Sequence, residues 1–190
     1  MPGREKTQPE QENVLVALAA LRGKPGAIGS AENCGDIGLK IGRDGTWYYQ
    51  GSAILRKPLV KLFASVLRKE DDQHYFLVTP AERVPIEVED APFLAVAMSI
   101  EDGRKEQRLS FRTSLDDVVT ADPSHPLSFR GEKDGSFTPF VLIRDRLNAR
   151  IARSVYYELI AVADDAGGAP GVWSGGAYFP FPVSPLASEG

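Results

Sequence analysis

The stretch that decides the fold class is IGLKIGRDGTWYY, residues 37–49. Apolar side chains alternate with polar ones on both sides of Asp44-Gly45, with Ile37, Leu39 and Ile41 before this pair and Trp47 and Tyr49 after it. Alternation with a period of two is typical of a half-buried strand, and Asp-Gly between two such runs is a strong hairpin signal. The stretch therefore predicts an antiparallel hairpin whose two turn residues both have positive φ.

The centre of the chain has the same strand-and-turn pattern. Strands are predicted over residues 75–79, 84–88, 93–100, 107–112 and 127–130. Turns separate them at Pro80 and at residues 101–103, and a second Asp-Gly turn follows at Asp134-Gly135. The Gly- and Pro-rich segment after Asp165 carries many aromatic side chains, which predicts that it packs onto the body of the protein.

Two segments have the apolar spacing of amphipathic helices. The first begins at Pro58 and ends near Glu70, with its stripe at Leu59, Leu62, Phe63, Val66 and Leu67. The second covers residues 144–162, with its stripe at Leu147, Ile151, Val155, Tyr156 and Leu159. A shorter helix is predicted over residues 14–21. The fold class is therefore α+β, with antiparallel sheets built from hairpins and two packed amphipathic helices.

The two Asp-Gly segments indicate two similar repeated halves. Each pair is followed by an extended segment, an arginine (Arg56 or Arg144) and a predicted helix. Asp-Gly hairpins also precede helices in proteins without a duplication, so both interpretations stay open. We predict a tail and short helix over residues 1–33, a first α+β repeat over residues 34–95, and a second over residues 96–190 that packs against the first.

Composition limits the partners. The 190-residue chain has 22 basic and 26 acidic residues and a formal net charge of −4, which argues against nucleic acid and anionic membranes as partners. Cys34 is the only cysteine, so no intramolecular disulfide or cysteine-rich zinc site can form, and we predict no metal and no cofactor. The apolar run over residues 14–21 is too short to cross a membrane and is followed by Arg22 and Lys24, unlike an export signal, which predicts a cytoplasmic location.

Two carboxylates alternate along the strand predicted over residues 84–88 and just beyond it. Glu87 and Glu89 are two residues apart and therefore project from the same face of a strand. Such a pair could serve acid/base chemistry or bind Mg²⁺ or Ca²⁺, whereas a solvated face or a salt bridge to a helix arginine is the commoner role. Pro85 and Pro92 predict an edge position for this strand, which would leave both carboxylates in water.

The second candidate feature is cationic. Arg146, Arg150 and Arg153 recur at i, i+4 and i+7 on the second predicted helix, opposite its apolar stripe. A row of guanidinium groups can bind phosphates or carboxylates in bidentate fashion, and a basic solvated face is the alternative. Tyr157 on the same row adds a stacking surface.

Two further sets of residues have a weaker link to chemistry. Trp173, Ser174 and Gly175 precede Gly176 in a segment whose successive N–H groups could bind an anion, or which could form a tight turn locked by the tryptophan. Cys34, His125 and Asp122 could form a catalytic triad only if the fold brings them together. We therefore assign no catalytic residue.

Several blocks along the chain resemble a known bacterial family. They are residues 34–49, 77–80, 84–93, 109–113, 125–127 and 172–176. Their order and separations are similar to those of domain-of-unknown-function family 1285. The resemblance covers most of the chain from Cys34 onward. It implies an α+β protein with repeated structural motifs and a ligand-binding or signalling role, without an established reaction or cofactor.

Three functions from different classes are compatible with these residues. The leading hypothesis is a non-enzymatic binding or signalling module that recognises a small anionic ligand or a partner protein. The second is an enzyme that uses Glu87 and Glu89 with the arginine row. The third is an oligomeric interaction protein without a ligand, and the sequence leaves the oligomeric state open.

Overall fold

The computed structural model describes residues 37–182, apart from 72–73, 81, 103–105, 133–135 and 166–167, together with Ala17. The helix predicted over residues 14–21 lies outside the described residues except for Ala17, which is helical. The chain divides into two compact units, an N-terminal unit, Met1–Glu89, and a C-terminal unit, Asp90–Gly190.

The helices and strands have the following bounds. The helices are α1 (Lys57–Ser65) and α2 (Arg153–Ala161). The strands of the N-terminal unit are β1 (Leu39–Ile41), β2 (Trp47–Tyr49), β3 (Ser52–Ala53), β4 (Leu67–Lys69), β5 (Tyr75–Val78) and β6 (Arg83–Val88). Those of the C-terminal unit are β7 (Phe93–Glu101), β8 (Arg108–Thr113), β9 (Val118–Thr120), β10 (Leu127–Gly131), β11 (Phe137–Arg144), β12 (Leu147–Ile151), β13 (Asp164–Asp165), β14 (Pro170–Ser174) and β15 (Ala177–Pro180).

The N-terminal unit is built on a six-stranded sheet of order β3-β2-β1-β6-β5-β4. All neighbours are antiparallel except β1 and β6, which pair in parallel at the centre. One face packs on α1, where the rings of Trp47 and Phe63 stack with centroids 6.3 Å apart and both side chains are buried. Because side chains alternate along a strand, the residues between the buried ones lie on the opposite face, which carries the polar groups.

The C-terminal unit repeats this arrangement. Its six-stranded sheet has the order β10-β11-β12-β7-β8-β9, and β12 and β7 form its parallel central pair. Read from β4 in the first sheet and from β10 in the second, both sheets have the same strand order: fourth, fifth, sixth, first, second, third. Helix α2 packs against β7, and a three-stranded antiparallel sheet, β13-β14-β15, completes the unit. Two sheets of the same order support the predicted repeated halves.

The Asp-Gly pairs that suggested the repeat do not occupy equivalent places in the two sheets. Asp44-Gly45 joins the first and second strands of its sheet, whereas Asp134-Gly135 lies between the fourth and fifth and falls outside the described residues. The helices differ as well, because α1 follows the third strand of its sheet and α2 follows the sixth. The shared strand order is therefore better evidence for the repeat than the shared sequence pattern.

The predicted strands and hairpins of the centre are confirmed, and so is the packing of the C-terminal aromatic residues. Phe181 is buried, and its ring lies 5.3 Å from that of Phe129 and 5.5 Å from that of Phe137, measured between centroids. The β1–β2 hairpin is present, but the prediction that both residues of its turn have positive φ is wrong. Only Gly45 of the Asp-Gly pair has positive φ. A two-residue turn with positive φ at both positions occurs instead at Gln50-Gly51, between β2 and β3.

The helix predicted over residues 144–162 is wrong in its first half. Residues Leu147–Ile151 form strand β12, and α2 covers only Arg153–Ala161. Leu147, Ala149 and Ile151 are buried with half-buried residues between them. Apolar residues four positions apart fit both a helix and a strand, and pairing of β12 with β11 and β7 favours the strand.

Two other expectations about element limits are corrected. Helix α1 ends at Ser65 rather than near Glu70, because Leu67–Lys69 is β4 and pairs with β5. Strand β6 is central rather than an edge strand, although it contains Pro85. Proline is tolerated there because β1 pairs only with Glu87 and Val88, so the half of β6 that holds Pro85 has β5 as its single neighbour.

Candidate functional site

An open polar cleft of about 640 Å³ lies in the N-terminal unit. Strands β1, β2 and β6 and the two turns beside them supply its lining residues, which are Gly38, Leu39, Lys40, Gly42, Arg43, Asp44, Tyr48, Gln50, Gly51, Glu87 and Glu89. Both candidate carboxylates predicted from the sequence therefore belong to one cleft. The volume lies within the range of sites that bind small molecules.

Lys40 holds the two carboxylates in the cleft. It is opposite Glu87 in the parallel β1–β6 ladder and opposite Tyr48 in the β1–β2 hairpin, so the three side chains share a face. The Lys40 Nζ lies 3.1 Å from Glu87 Oε1 and 2.7 Å from Glu89 Oε1. A lysine of the neighbouring strand thus binds the carboxylates, and not the helix arginine that was considered from the sequence.

Ion pairing shifts the pKa values of Lys40 and Glu89 in the directions that keep both groups charged. Hydrogen bonds to Glu89 and then Glu87 raise the pKa of Lys40 above its ordinary value. The Lys40 ammonium, followed by the backbone N–H of Arg43, holds the pKa of Glu89 below its ordinary value. The Arg43 N–H donates to Glu89 Oε2 over 2.9 Å, so both oxygens of Glu89 accept hydrogen bonds. Glu89 is therefore ionised at neutral pH.

The remaining polar groups of the cleft differ in how far they are already used. The Asp44 carboxylate accepts from the backbone N–H of Thr46 at 3.0 Å and from its hydroxyl at 2.8 Å, which lowers the pKa of Asp44. The Arg43 guanidinium and the Tyr48 hydroxyl make no hydrogen bond or short ion pair with any described residue. These two donors are thus available to a ligand.

A second charged cluster lies in the C-terminal unit. The Asp90 side chain is only 2% exposed, with Oδ1 2.7 Å from Arg130 Nη1 and Oδ2 3.3 Å from Arg150 Nε. The Arg130 guanidinium also lies 4.9 Å above the Phe140 ring. Because a buried carboxylate needs compensating charge, the two arginines explain how Asp90 is accommodated. We interpret this cluster as structural.

The predicted arginine row does not form one helix face. Arg146 is exposed in the β11–β12 turn, Arg150 lies on β12 and reaches Asp90, and Arg153 is the first residue of α2. Arg153 Nε donates to the Tyr157 hydroxyl at 3.1 Å, which raises the pKa of the arginine. Because half of the predicted helix is a strand, the i, i+4, i+7 spacing does not align these side chains. Their role in ligand binding remains a prediction.

Trp173 and Ser174 end strand β14, and Gly175 begins the tight turn to β15. The Ser174 hydroxyl and the Gly175 backbone N–H are used inside the protein. The buried Ser174 hydroxyl donates to the carbonyl of Ala121 at 2.6 Å and accepts the N–H of Leu109 at 2.9 Å. The Gly175 N–H donates to the carbonyl of Gln107 at 3.2 Å, and the Gln107 side chain donates to the carbonyl of Trp173 at 2.7 Å. These contacts favour the tight turn over an anion-binding nest.

The triad considered from the sequence has two members in the described part of the chain. His125 Nδ1 lies 3.4 Å from Asp122 Oδ1, and the same oxygen accepts the backbone N–H groups of Ser124 and His125 at 2.7 Å. This is the local geometry of a turn that begins at an aspartate. Cys34 lies outside the described residues.

The part of the chain that the structure describes has neither a cluster of metal-binding side chains nor a helix that could span a membrane. Among these residues no group of three or more His, Cys, Asp or Glu side chains could hold a metal ion. Within the same ranges no helix is long and apolar enough to cross a membrane.

Sequence reasoning found Glu87 and Glu89 but missed the cations that accompany them. Lys40 belongs to the first hairpin, and its strand β1 meets β6 through the parallel pairing of Lys40 with Glu87 and of Ile41 with Val88. These contacts join distant parts of the sequence, and Arg43 and Glu89 beside them are 46 positions apart. The available signal was that Lys40 and Tyr48 both fall on the polar face of that hairpin. It did not indicate which later strand would pair beside them.

Fold and cleft together define an α+β protein of two similar units, the first of which carries an open polar cleft. This chain belongs to the DUF1285 family. The model of its N-terminal domain, "Domain of unknown function (DUF1285), N-terminal domain", matches residues 29–91. That of the C-terminal domain, "Protein of unknown function (DUF1285), C-terminal domain", matches residues 92–181. The resemblance read from the sequence is confirmed, and the family descriptions assign no activity.

Two solved structures of the same family are similar to the chain. A DUF1285 family protein from Silicibacter pomeroyi DSS-3 is 37% identical, with a TM-score of 0.77 over 86% of this chain and 92% of that one. A DUF1285 family protein from Shewanella baltica OS155 is 28% identical, with a TM-score of 0.53 over 67% of this chain and 93% of that one. No curated protein matches this chain at a significant level.

Proposed function

We propose that this protein is a non-enzymatic ligand-binding or signalling module whose cleft in the N-terminal unit takes a small ligand with an anionic group. The observation that carries the proposal is Arg43, a lining residue of the cleft whose guanidinium makes no hydrogen bond or short ion pair with any described residue. An arginine of this kind can hold a carboxylate or phosphate through two parallel hydrogen bonds. Tyr48 is another lining residue, and its hydroxyl supplies a further donor.

The electrostatics of the cleft favour binding over acid/base catalysis by Glu87 and Glu89. A working pair of carboxylates needs environments that separate their pKa values, so that one carries a proton near neutral pH. Lys40 contacts both carboxylates instead, and the pKa of Glu89 is lowered rather than raised. Glu89 is therefore not in the desolvated, like-charged setting that would keep a proton on it.

The test is the melting temperature in the presence of a panel of small carboxylates and phosphates. At a hundred times the dissociation constant, a ligand stabilises by about 2.7 kcal/mol. For a chain of this size that corresponds to a rise of roughly 5–10 °C. We expect at least one such compound to raise the melting temperature of the wild type, and Arg43→Gln to abolish the rise.

Arg146→Gln is the matched control, because Arg146 is exposed and lies in the other unit. We expect it to leave the ligand-induced rise intact. If Arg146→Gln or Arg153→Gln abolished the rise and Arg43→Gln did not, the ligand would bind at the arginines of the C-terminal unit and the cleft would be the wrong site. If no compound stabilised the wild type, the ligand-binding proposal would fail in favour of an interaction protein.

The same samples separate a binding module from an enzyme. A ligand that NMR spectra find unchanged after long incubation with the protein agrees with the proposal. Consumption of the ligand that stops in Glu87→Gln would contradict it and would support the enzyme hypothesis instead.

A further inference from the structure

The acceptors of the cleft indicate which second group the ligand carries, and this inference rests on the proposed function. Three carboxylates line the cleft, but two of them are already satisfied. Asp44 accepts two hydrogen bonds from Thr46, and Glu89 accepts one on each oxygen from Arg43 and Lys40. Among the described residues Glu87 has a single contact, from Lys40 to Oε1, and its side chain is 66% exposed. Glu87 thus keeps a free acceptor oxygen, which indicates that the ligand carries a hydrogen-bond donor.

The charge of the lining leads to the same conclusion. Lys40 and Arg43 oppose Asp44, Glu87 and Glu89, so the cleft carries a net negative charge. A ligand with only an anionic group gains from Arg43 but meets this excess of carboxylates. A ligand that also carries an ammonium group places a positive charge where the cleft lacks one. Because Lys40 is shared between Glu87 and Glu89, its charge does not fully compensate either carboxylate.

We propose that the cleft binds an aminocarboxylate, with the ligand carboxylate on the Arg43 guanidinium and the ligand ammonium on the free oxygen of Glu87. Two kinds of charge-assisted hydrogen bond then form, one with the ligand carboxylate and one with the ligand ammonium. A ligand with a single charge can form only one of them. The Tyr48 hydroxyl donates to the same carboxylate or to a polar substituent of the ligand. Recognition by two opposite charges at a fixed separation also selects the length of the ligand.

Calorimetric titration of three matched sets of compounds tests this inference. The zwitterions are glycine, β-alanine and γ-aminobutyrate. Acetate, propionate and butyrate are their counterparts without the amine, and methylamine, ethylamine and propylamine are those without the carboxylate. We expect one zwitterion to bind at least about tenfold more tightly than both of its counterparts, as loss of one charged hydrogen bond implies. The length of that zwitterion reports the distance between the two charged groups of the cleft.

The variants assign each charge to its residue. Glu87→Gln should remove the advantage of the zwitterion over its carboxylate counterpart, without weakening the counterpart. Arg43→Gln should weaken both, and Glu158→Gln, which changes an exposed carboxylate of α2, should change neither. Because Glu87 is exposed, its variant is expected to fold, and the wild-type comparison alone decides the inference if it does not.

The outcomes distinguish this inference from the proposed function. If simple carboxylates or phosphates bind in an Arg43-dependent manner and no zwitterion exceeds its counterpart, the aminocarboxylate inference is overturned and the ligand-binding module stands. If neither zwitterions nor anions bind to the wild type, both are overturned.

Discussion

Gly175 lies where two loops of the C-terminal unit approach each other closely. It has a φ of 54°, and a Cβ at this position would lie 2.7 Å from Asp122 Cβ and 2.9 Å from the carbonyl oxygen of Ala121. Gly175→Ala therefore adds a steric clash to a left-handed conformation. We expect it to lower the free energy of unfolding by at least about 2 kcal/mol, measured by chemical denaturation.

Gly176→Ala is the control for this change. Gly176 has a similar left-handed φ of 79°, but a Cβ there would meet no atom within 4 Å. Its cost should be limited to the backbone term of about 1 kcal/mol. Equal losses in the two variants would contradict the role of the close approach between Gly175 and the loop at Asp122.

At the scale of elements, the parallel contact between β1 and β6 should make stability depend on pH. The pKa of Glu89 in the folded protein is below its ordinary value of 4.5, so its contribution is complete above this pH and is lost as the pH falls through the folded pKa. The pKa of Lys40 is raised above 10.5, so its contribution is present below this pH and is lost as the pH rises through the folded pKa. The melting temperature is expected to decrease at both ends of the pH scale.

The control for this prediction is Glu89→Gln, which cannot ionise. The difference in melting temperature between wild type and variant should be largest at neutral pH. It should shrink as the pH falls through the folded pKa of Glu89. A difference that stays constant from neutral to acid pH would show that the Lys40–Glu89 ion pair does not contribute to stability.

At the scale of the whole molecule, packing rather than a bound ion should hold the protein together. Both six-stranded sheets have an apolar buried face, and in the described ranges no set of side chains could hold a metal. We expect a chelator to leave the melting temperature unchanged, because an ion that binds only the folded state would add stability that chelation removes. A fall of many degrees, reversed by a particular divalent cation, would reveal a structural ion and contradict the predicted absence of a metal.

The sequence by itself determined the features that depend on neighbouring residues. Alternation around Asp44-Gly45 identified the first hairpin, and the aromatic content of the C-terminal segment predicted its packing. The quoted blocks identified the family, and the spacing of Glu87 and Glu89 predicted that both carboxylates project from one strand face. Each of these signals depends on a few neighbouring residues or on the order of blocks along the chain. They can therefore be recognised without knowledge of the fold.

Tertiary structure decided which strands meet. The residues Leu147–Ile151 fit a helix and a strand equally well, and the pairing of β12 with both β11 and β7 selected the strand. The same kind of pairing placed Lys40 beside Glu87 and Glu89, and brought Arg130 and Arg150 to Asp90. A parallel pair joins strands that are far apart in the sequence, and local periodicity does not specify its register. The positions of Lys40 and Arg43 beside the two carboxylates are therefore known only from the assembled sheet.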